Sequence, residues 1–326
     1  MKRTRDTMPA SNGARRKTIP GVLLAALAGW SVWIAGAQQA GGPARKEPPR
    51  GGVEGRLTWF DRQGKVLGRA GEPGLYRTLT ISPDGKRVAF ERTDPQTQNR
   101  DLWLLDVARG ATVRFTSDPG WDAFPTWSPD GGRIVFTSNR AGAFDLYQKA
   151  STGPGAEQLL YSSSEGKGPT SWSPDERFLL YYSIGQPTHL RLLTVTGPAD
   201  RKPVPLVDPR FSSITGRFSP DGHWIVYNSN ESGRSEVSVR PFDAATGAAG
   251  DPIVVTQGGG GTPLWRGDGK EIFYIAPDGT ATALEVTTGS AFHAGVPKPL
   301  FPVPSGVLFW DVSPDGQRFL MPAPDR

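Results

Sequence analysis

Apolar and polar residues alternate in short runs along most of the chain, as in Arg133-Ile-Val-Phe-Thr and Asp145-Leu-Tyr-Gln-Lys, with Gly, Pro, Asn and Asp between the runs. A period of two predicts strands with one face buried, and the separators predict tight turns. The pattern also recurs on a longer scale. Ser-Pro-Asp-Gly begins at Ser82, Ser128, Ser219 and Ser313, with Ser-Pro-Asp-Glu at Ser173 and Arg-Gly-Asp-Gly at Arg266. The aspartates Asp84, Asp130, Asp175, Asp221, Asp268 and Asp315 are therefore 46, 45, 46, 47 and 47 residues apart. In the second copy strands are expected at Phe124–Trp127, Ile134–Thr137, Leu146–Lys149 and Glu157–Tyr161. Four short antiparallel strands in each such period predict the blade of an all-β propeller.

Within the motif each residue has a turn chemistry. Proline presets φ, the aspartate accepts a nearby backbone N–H, and glycine takes the positive φ that closes the hairpin. The six aspartates are thus expected to be structural. Each stands outside any D-x-D-x-D-G loop, which argues against calcium. The large residue ahead of the motif (Trp127, Trp172, Phe218 or Trp265) is expected to bury its ring between neighbouring blades. After Asp315 there is room for one strand, Gln317 to Met321, so the last blade lacks its outer pair. The hairpin of Leu57-Thr-Trp-Phe-Asp and Lys65-Val-Leu-Gly supplies it, giving a six-bladed ring over residues 57–326 whose sixth blade takes strands from both termini and leaves no open edge.

One segment breaks the strand pattern. Residues 18–44 carry no charge, and Val22 to Ile34 is almost wholly apolar. As a helix, residues 19–37 would rise about 28 Å, close to the hydrocarbon thickness of a bilayer. Six basic residues precede this segment, so a basic cytoplasmic tail (1–18), a membrane signal-anchor (19–37) and an extracytoplasmic remainder are expected. Ala35-Gly36-Ala37 also fits a signal-peptidase site, in which case the mature chain is secreted. Residues 38–55, rich in Gly and Pro, read as a stalk.

Composition narrows the chemistry. There is no cysteine, which excludes disulfides, thiolate metal sites and a thiol nucleophile. The net charge of +5 comes from the N-terminus: residues 1–37 hold six basic groups and one acid, leaving 31 of each sign beyond Ala37. A neutral body gives no drive toward nucleic acid. The three histidines, His189, His223 and His293, are far apart in sequence, and no H-E-x-x-H or G-x-S-x-G motif occurs. No cofactor or metal is implied. Binding is expected on the face formed by loops that enter the first strand of each blade and loops that join the second to the third. The candidates are Tyr76, Arg77, Trp121, Asp122, Arg210, Phe211, Arg217, Trp310 and Asp311, because aromatic and arginine side chains anchor recognition surfaces. The alternative for Trp121 and Trp310 is that they plug the central channel.

The repeated W-S-P-D-G followed by R-I-V-F-T-S-N-R and D-L-Y resembles the PD40, or WD40-like, repeats of TolB-type six-bladed propellers over residues 57–326. Trp59-Phe-Asp-Arg-Gln-Gly-Lys, Asp101-Leu-Trp-Leu-Leu-Asp, Arg217-Phe-Ser-Pro-Asp-Gly and Val312-Ser-Pro-Asp-Gly-Gln-Arg-Phe are similar to the extracytoplasmic half of bacterial membrane-anchored serine/threonine kinases. No Gly-rich nucleotide loop, V-A-I-K, H-R-D or D-F-G is present, so no kinase residue is carried over. The resemblance implies an extracytoplasmic sensor or scaffold that binds a protein, peptide or glycan without catalysis. Two other readings stay open: a propeller enzyme, such as a lyase or glycoside hydrolase acting on envelope polymers, and a structural envelope protein or truncated receptor-kinase sensor half.

Overall fold

The computed structural model describes residues 52–184, 187–196, 202–289 and 291–325, and all of its regular structure is β. The expected tail, the anchor and residues 38–51 of the stalk lie outside the described residues. Among those described, no helix is long and apolar enough to cross a membrane. Val53 to Gly55, assigned to the stalk by composition, are part of a strand. They pair with Tyr76, Leu75 and Gly74, so backbone hydrogen bonding overrides the local Gly content.

The strands form five antiparallel sheets. The first contains β1 (Val53–Phe60), β2 (Val66–Ile81), β3 (Arg87–Thr93), β4 (Arg100–Asp106) and β5 (Thr112–Arg114). The second contains β6 (Asp122–Trp127), β7 (Arg133–Ser138), β8 (Asp145–Ala150) and β9 (Gln158–Tyr161). The third contains β10 (Gly166–Trp172), β11 (Phe178–Ile184), β12 (His189–Thr194) and β13 (Val204–Pro205). In the fourth are β14 (Ser213–Phe218), β15 (Trp224–Ser229), β16 (Glu236–Asp243), β17 (Ala248–Ala249) and β18 (Ile253–Val254). In the fifth are β19 (Gly261–Trp265), β20 (Glu271–Ile275), β21 (Thr280–Thr287), β22 (His293–Ala294) and β23 (Lys298–Pro302). Finally β24 (Asp311–Val312) and β25 (Phe319–Ala323) join the first sheet, whose order is β24-β25-β1-β2-β3-β4-β5.

That seven-stranded sheet is two repeats sharing one strand. The N-terminal part of β2 pairs with β1, and its C-terminal part pairs with β3. No turn separates the two halves, so the hairpin strand expected at Lys65 to Gly68 runs on into the first repeat. On its other edge β1 pairs with β25, with Arg56 opposite Ala323 and Phe60 opposite Phe319.

The core lies between sheets. Trp224, Val226, Val237 and Val239 of the fourth sheet pack against Trp265, Ile272, Tyr274 and Leu284 of the fifth. Ala89, Leu102 and Leu104 of the first do the same with Trp127, Ile134 and Phe136 of the second. Both faces of the inner strands are covered, which is why β7 and β11 are apolar on both faces. Four motifs are preceded by an aromatic residue (Trp127, Trp172, Phe218 and Trp265), and two of these rings hydrogen-bond across the interlayer. Trp127 Nε1 donates to the Thr80 carbonyl (3.2 Å) and Trp265 Nε1 to that of Arg217 (3.2 Å). Guanidinium groups of the preceding repeat stack on two of these rings, Arg87 over Trp127 and Arg133 over Trp172.

Candidate functional site

The motif aspartates are engaged in their own turns. Asp84 Oδ1 accepts the Ser82 hydroxyl (2.6 Å) and the Lys86 N–H (3.0 Å), while the Ser82 hydroxyl accepts the Arg87 N–H (2.9 Å). The same arrangement recurs at Asp130, Asp175, Asp221 and Asp315. At the fifth turn Arg266 replaces the serine, and its guanidinium holds Asp268 down at about 2, first by a direct hydrogen bond. These carboxylates are consumed by structure, which leaves the frame fixed and the residues around it free to differ.

Those residues lie on the first strand of each repeat. Five of the six pairings of a first and second strand contain a register shift, between Tyr76 and Leu79, Ala123 and Thr126, Pro169 and Ser171, Ile214 and Arg217, and Gly261 and Leu264; the short pairing of β24 with β25 has none. Three non-glycine residues there, Phe124, Thr215 and Thr262, have φ near +50°. Such a conformation costs about 1 kcal/mol or more for an L residue and persists only where its surroundings enforce it. The bulge re-aims the residues after it. Four positions before each motif aspartate, Thr80, Thr126, Ser171, Arg217, Leu264 and Asp311 all line one funnel of about 420 Å³. The motif residues Pro83, Pro129, Pro174, Pro220 and Pro314 form its rim, with Trp127, Trp172 and Trp265 on its wall.

Behind the funnel lies a small chamber of about 50 Å³, which shares Thr126, Arg217 and Leu264 with it. Phe124, Tyr182, Leu308, Phe309 and Trp310 line this inner end. Phe124 meets Tyr182 and Phe309 edge-on, making an apolar seal. The cavity therefore widens among the motif turns, at the opposite end of the first strands from the loops that sequence reasoning favoured.

Of the nine candidate residues the structure brings together three. Arg217 and Asp311 face the funnel, and Trp310 closes the chamber, 2% exposed, with Nε1 donating to the Thr262 carbonyl (3.0 Å). Burial lowers the Arg217 pKa, opposed in part by Asp311; burial raises that of Asp311, opposed first by Arg217. The Asp311 carboxylate accepts the backbone N–H groups of Ile81 (2.7 Å) and Val312 (2.9 Å) and the Thr80 hydroxyl (3.2 Å).

The other six are elsewhere, and three of them correct the expectation of an exposed face. Tyr76, Arg77 and Asp122 are buried because their strands are covered on both sides. The Tyr76 hydroxyl donates to the Glu72 carbonyl. Arg77 faces the wholly buried Glu91 at 3.5 Å, and Asp122 pairs with Arg140 at 3.0 Å. Trp121 is half-buried with the Arg100 guanidinium 3.9 Å above its ring. Arg210 is exposed and paired with Asp208 at 2.7 Å, while Phe211 packs against the core cluster that includes Leu206 and Val207. The hydroxyl residues Thr80, Thr126 and Ser171 were not singled out from sequence, although their constant offset from the motif aspartate would have found them. No group of three His, Asp or Glu side chains suited to a metal forms among the described residues.

Residues 68–195 match the PD40 family, described as the TolB beta propeller domain. The chain is 27% identical over 166 residues to the Tol-Pal system protein TolB of Helicobacter pylori, covering 48% of this chain and 38% of that protein. It is 25% identical over 201 residues to the uncharacterized peptidase YuxL of Bacillus subtilis, covering 50% of this chain but 30% of the peptidase. The chain thus spans well under two thirds of either relative. Among solved structures, TolB from Acinetobacter baumannii superposes with a TM-score of 0.58 at 16% identity, covering 83% of this chain and 77% of that one, a likeness of fold.

Proposed function

We propose that this TolB-like β-propeller is a non-catalytic binding module that recognises a protein, peptide or glycan outside the cytoplasm. In this reading the six motif periods are six blades. The sixth is made of β24, β25, β1 and the first half of β2, and the segment 19–37 holds the ring at the membrane. The observation that carries the reading is the contrast at the funnel. Five turns built on a serine and an aspartate, and one built on Arg266 and Asp268, hold six side chains of differing chemistry, from Leu264 to Asp311, around a single open cavity. A constant frame presenting a varied lining is the arrangement of a recognition surface, in which rigidity lowers the entropic cost of binding. The likeness to TolB supports a binding or scaffold role, and the likeness to a peptidase covers too little of that protein to carry its activity here.

The test is capture from envelope membranes with the full-length chain as bait, compared with a Leu264→Lys chain that fills the funnel. Retention of a specific component by the first and its loss from the second is expected. A component captured equally well by both would move binding away from the funnel.

A further inference from the structure

At two of its six occurrences the funnel position four residues before the motif aspartate has a second use, as a tie between repeats. Ser171 Oγ accepts the Phe218 N–H of the next repeat (3.1 Å), and Asp311 Oδ2 accepts that of Ile81 (2.7 Å). Arg217 holds the same position, but a guanidinium has five donors and no acceptor, so it cannot make this tie. Among the described residues its guanidinium has neither a hydrogen-bond nor an ion-pair partner. Asp311, the acid whose charge acts on it, is outside ion-pair distance and already accepts three bonds. A guanidinium withdrawn from bulk water yet open to a cavity is half of a charge-assisted pair.

We infer that Arg217 anchors a carboxylate-binding site at the waist of the funnel, taking one ionised carboxylate carried by a small organic acid or by the free C-terminus of a peptide. The planar fork of a guanidinium matches a carboxylate bidentately. A single cation facing Asp311 across the same cavity selects one negative charge and disfavours a polyanion. Leu264, Trp127, Trp172 and Trp265 offer an apolar wall to the organic part of the ligand, and the volume suits a few residues of peptide. This inference rests on the reading of the funnel as the recognition surface.

Calorimetric titration of the full-length chain tests it with three probes: propionate, trialanine and trialanine amide. Trialanine is expected to bind and its amide not to. Arg217→Met should weaken trialanine by roughly tenfold to a hundredfold, Arg217→Lys should weaken it less, and Asp311→Asn should tighten it. Propionate as tight as trialanine assigns the site to small acids; trialanine clearly tighter assigns it to peptide termini. Equal affinity for acid and amide, unchanged affinity in a folded Arg217→Met chain, or no saturable binding of either acid would overturn the assignment. The contrast between acid and amide needs no variant, so it stands even if a substitution fails to fold. A null titration alongside retained capture from membranes would remove the carboxylate site while leaving the binding module intact.

Discussion

The Asp311 carboxylate accepts the backbone N–H of Ile81 at 2.7 Å, across 230 positions of the chain. This bond links the last repeat to the first at the inner rim, while β25 and β1 link them farther out. Asp311→Ala leaves the Ile81 N–H without its acceptor in a largely desolvated place. It is expected to cost about 1–3 kcal/mol in urea denaturation, whereas Asp311→Asn, which keeps an acceptor oxygen, should cost clearly less. Equal losses would mean that the bond contributes nothing.

Gly55 sits where β1 meets β25. Its φ is +150°, and a Cβ there would lie 2.0 Å from the Ala323 carbonyl oxygen. Gly55→Ala should therefore cost about 2–3 kcal/mol through backbone strain and displacement of the paired strand. Gly110, with φ +67° and nothing within 4 Å of its Cβ position, provides the comparison. Gly110→Ala should cost about 1 kcal/mol, and both values are readable from denaturation midpoints.

Burial pushes the Asp122 carboxyl up to about 6, with Arg140 among the opposing influences. A carboxyl with a higher pKa folded than unfolded binds protons on folding, so its penalty is absent at low pH and grows as it is forced to ionise. The wild-type chain should lose stability relative to Asp122→Asn as pH rises from about 4, the unfolded value, to about 6. A difference in melting temperature that is flat over that window would contradict the burial argument.

The Trp121 ring carries the Arg100 guanidinium at 3.9 Å, and Arg100 is itself withdrawn from water, its pKa lowered to about 10 chiefly by burial. Trp121→Ala should cost about 1–2 kcal/mol of stability, with Trp121→Phe losing less, and neither should alter binding in the funnel. Loss of binding in a chain of unchanged stability would return Trp121 to the recognition surface.

The repeat was legible because its turn is local chemistry. Serine, aspartate and glycine within four residues close a hairpin by themselves, and even Glu176, in the left-handed region at φ 60° where the other copies of Ser-Pro-Asp place glycine, keeps the turn. The bulges were not legible. Phe124, Thr215 and Thr262 adopt positive φ without a glycine to mark them, since packing around the cavity imposes that conformation. Continuity of β2 through Gly71 and Pro73 was hidden for a similar reason: pairing with β1 and β3 outweighs the two turn-forming residues. Arg217 and Asp311 could be chosen as polar residues near a blade entrance. Their separation from Tyr76, Arg77 and Asp122 depends on which face of each strand its neighbours cover, which spacing along one strand does not reveal. The solitude of Arg217 is a property of the ring, visible only when the same position is compared across repeats.

Closure of the ring by the two ends of the described chain is tested most directly by a covalent link between them. Arg56 lies opposite Ala323 in the register of β1 and β25, and the native sequence has no cysteine to compete. Directly opposed antiparallel residues have Cα atoms about 4.5–5.5 Å apart, within disulfide range. Oxidation of the Arg56→Cys, Ala323→Cys double variant is predicted to give a monomer with one internal disulfide and a raised unfolding midpoint that reduction reverses. Free thiols after oxidation, or disulfide-linked dimers in place of the internal bond, would contradict the closed ring.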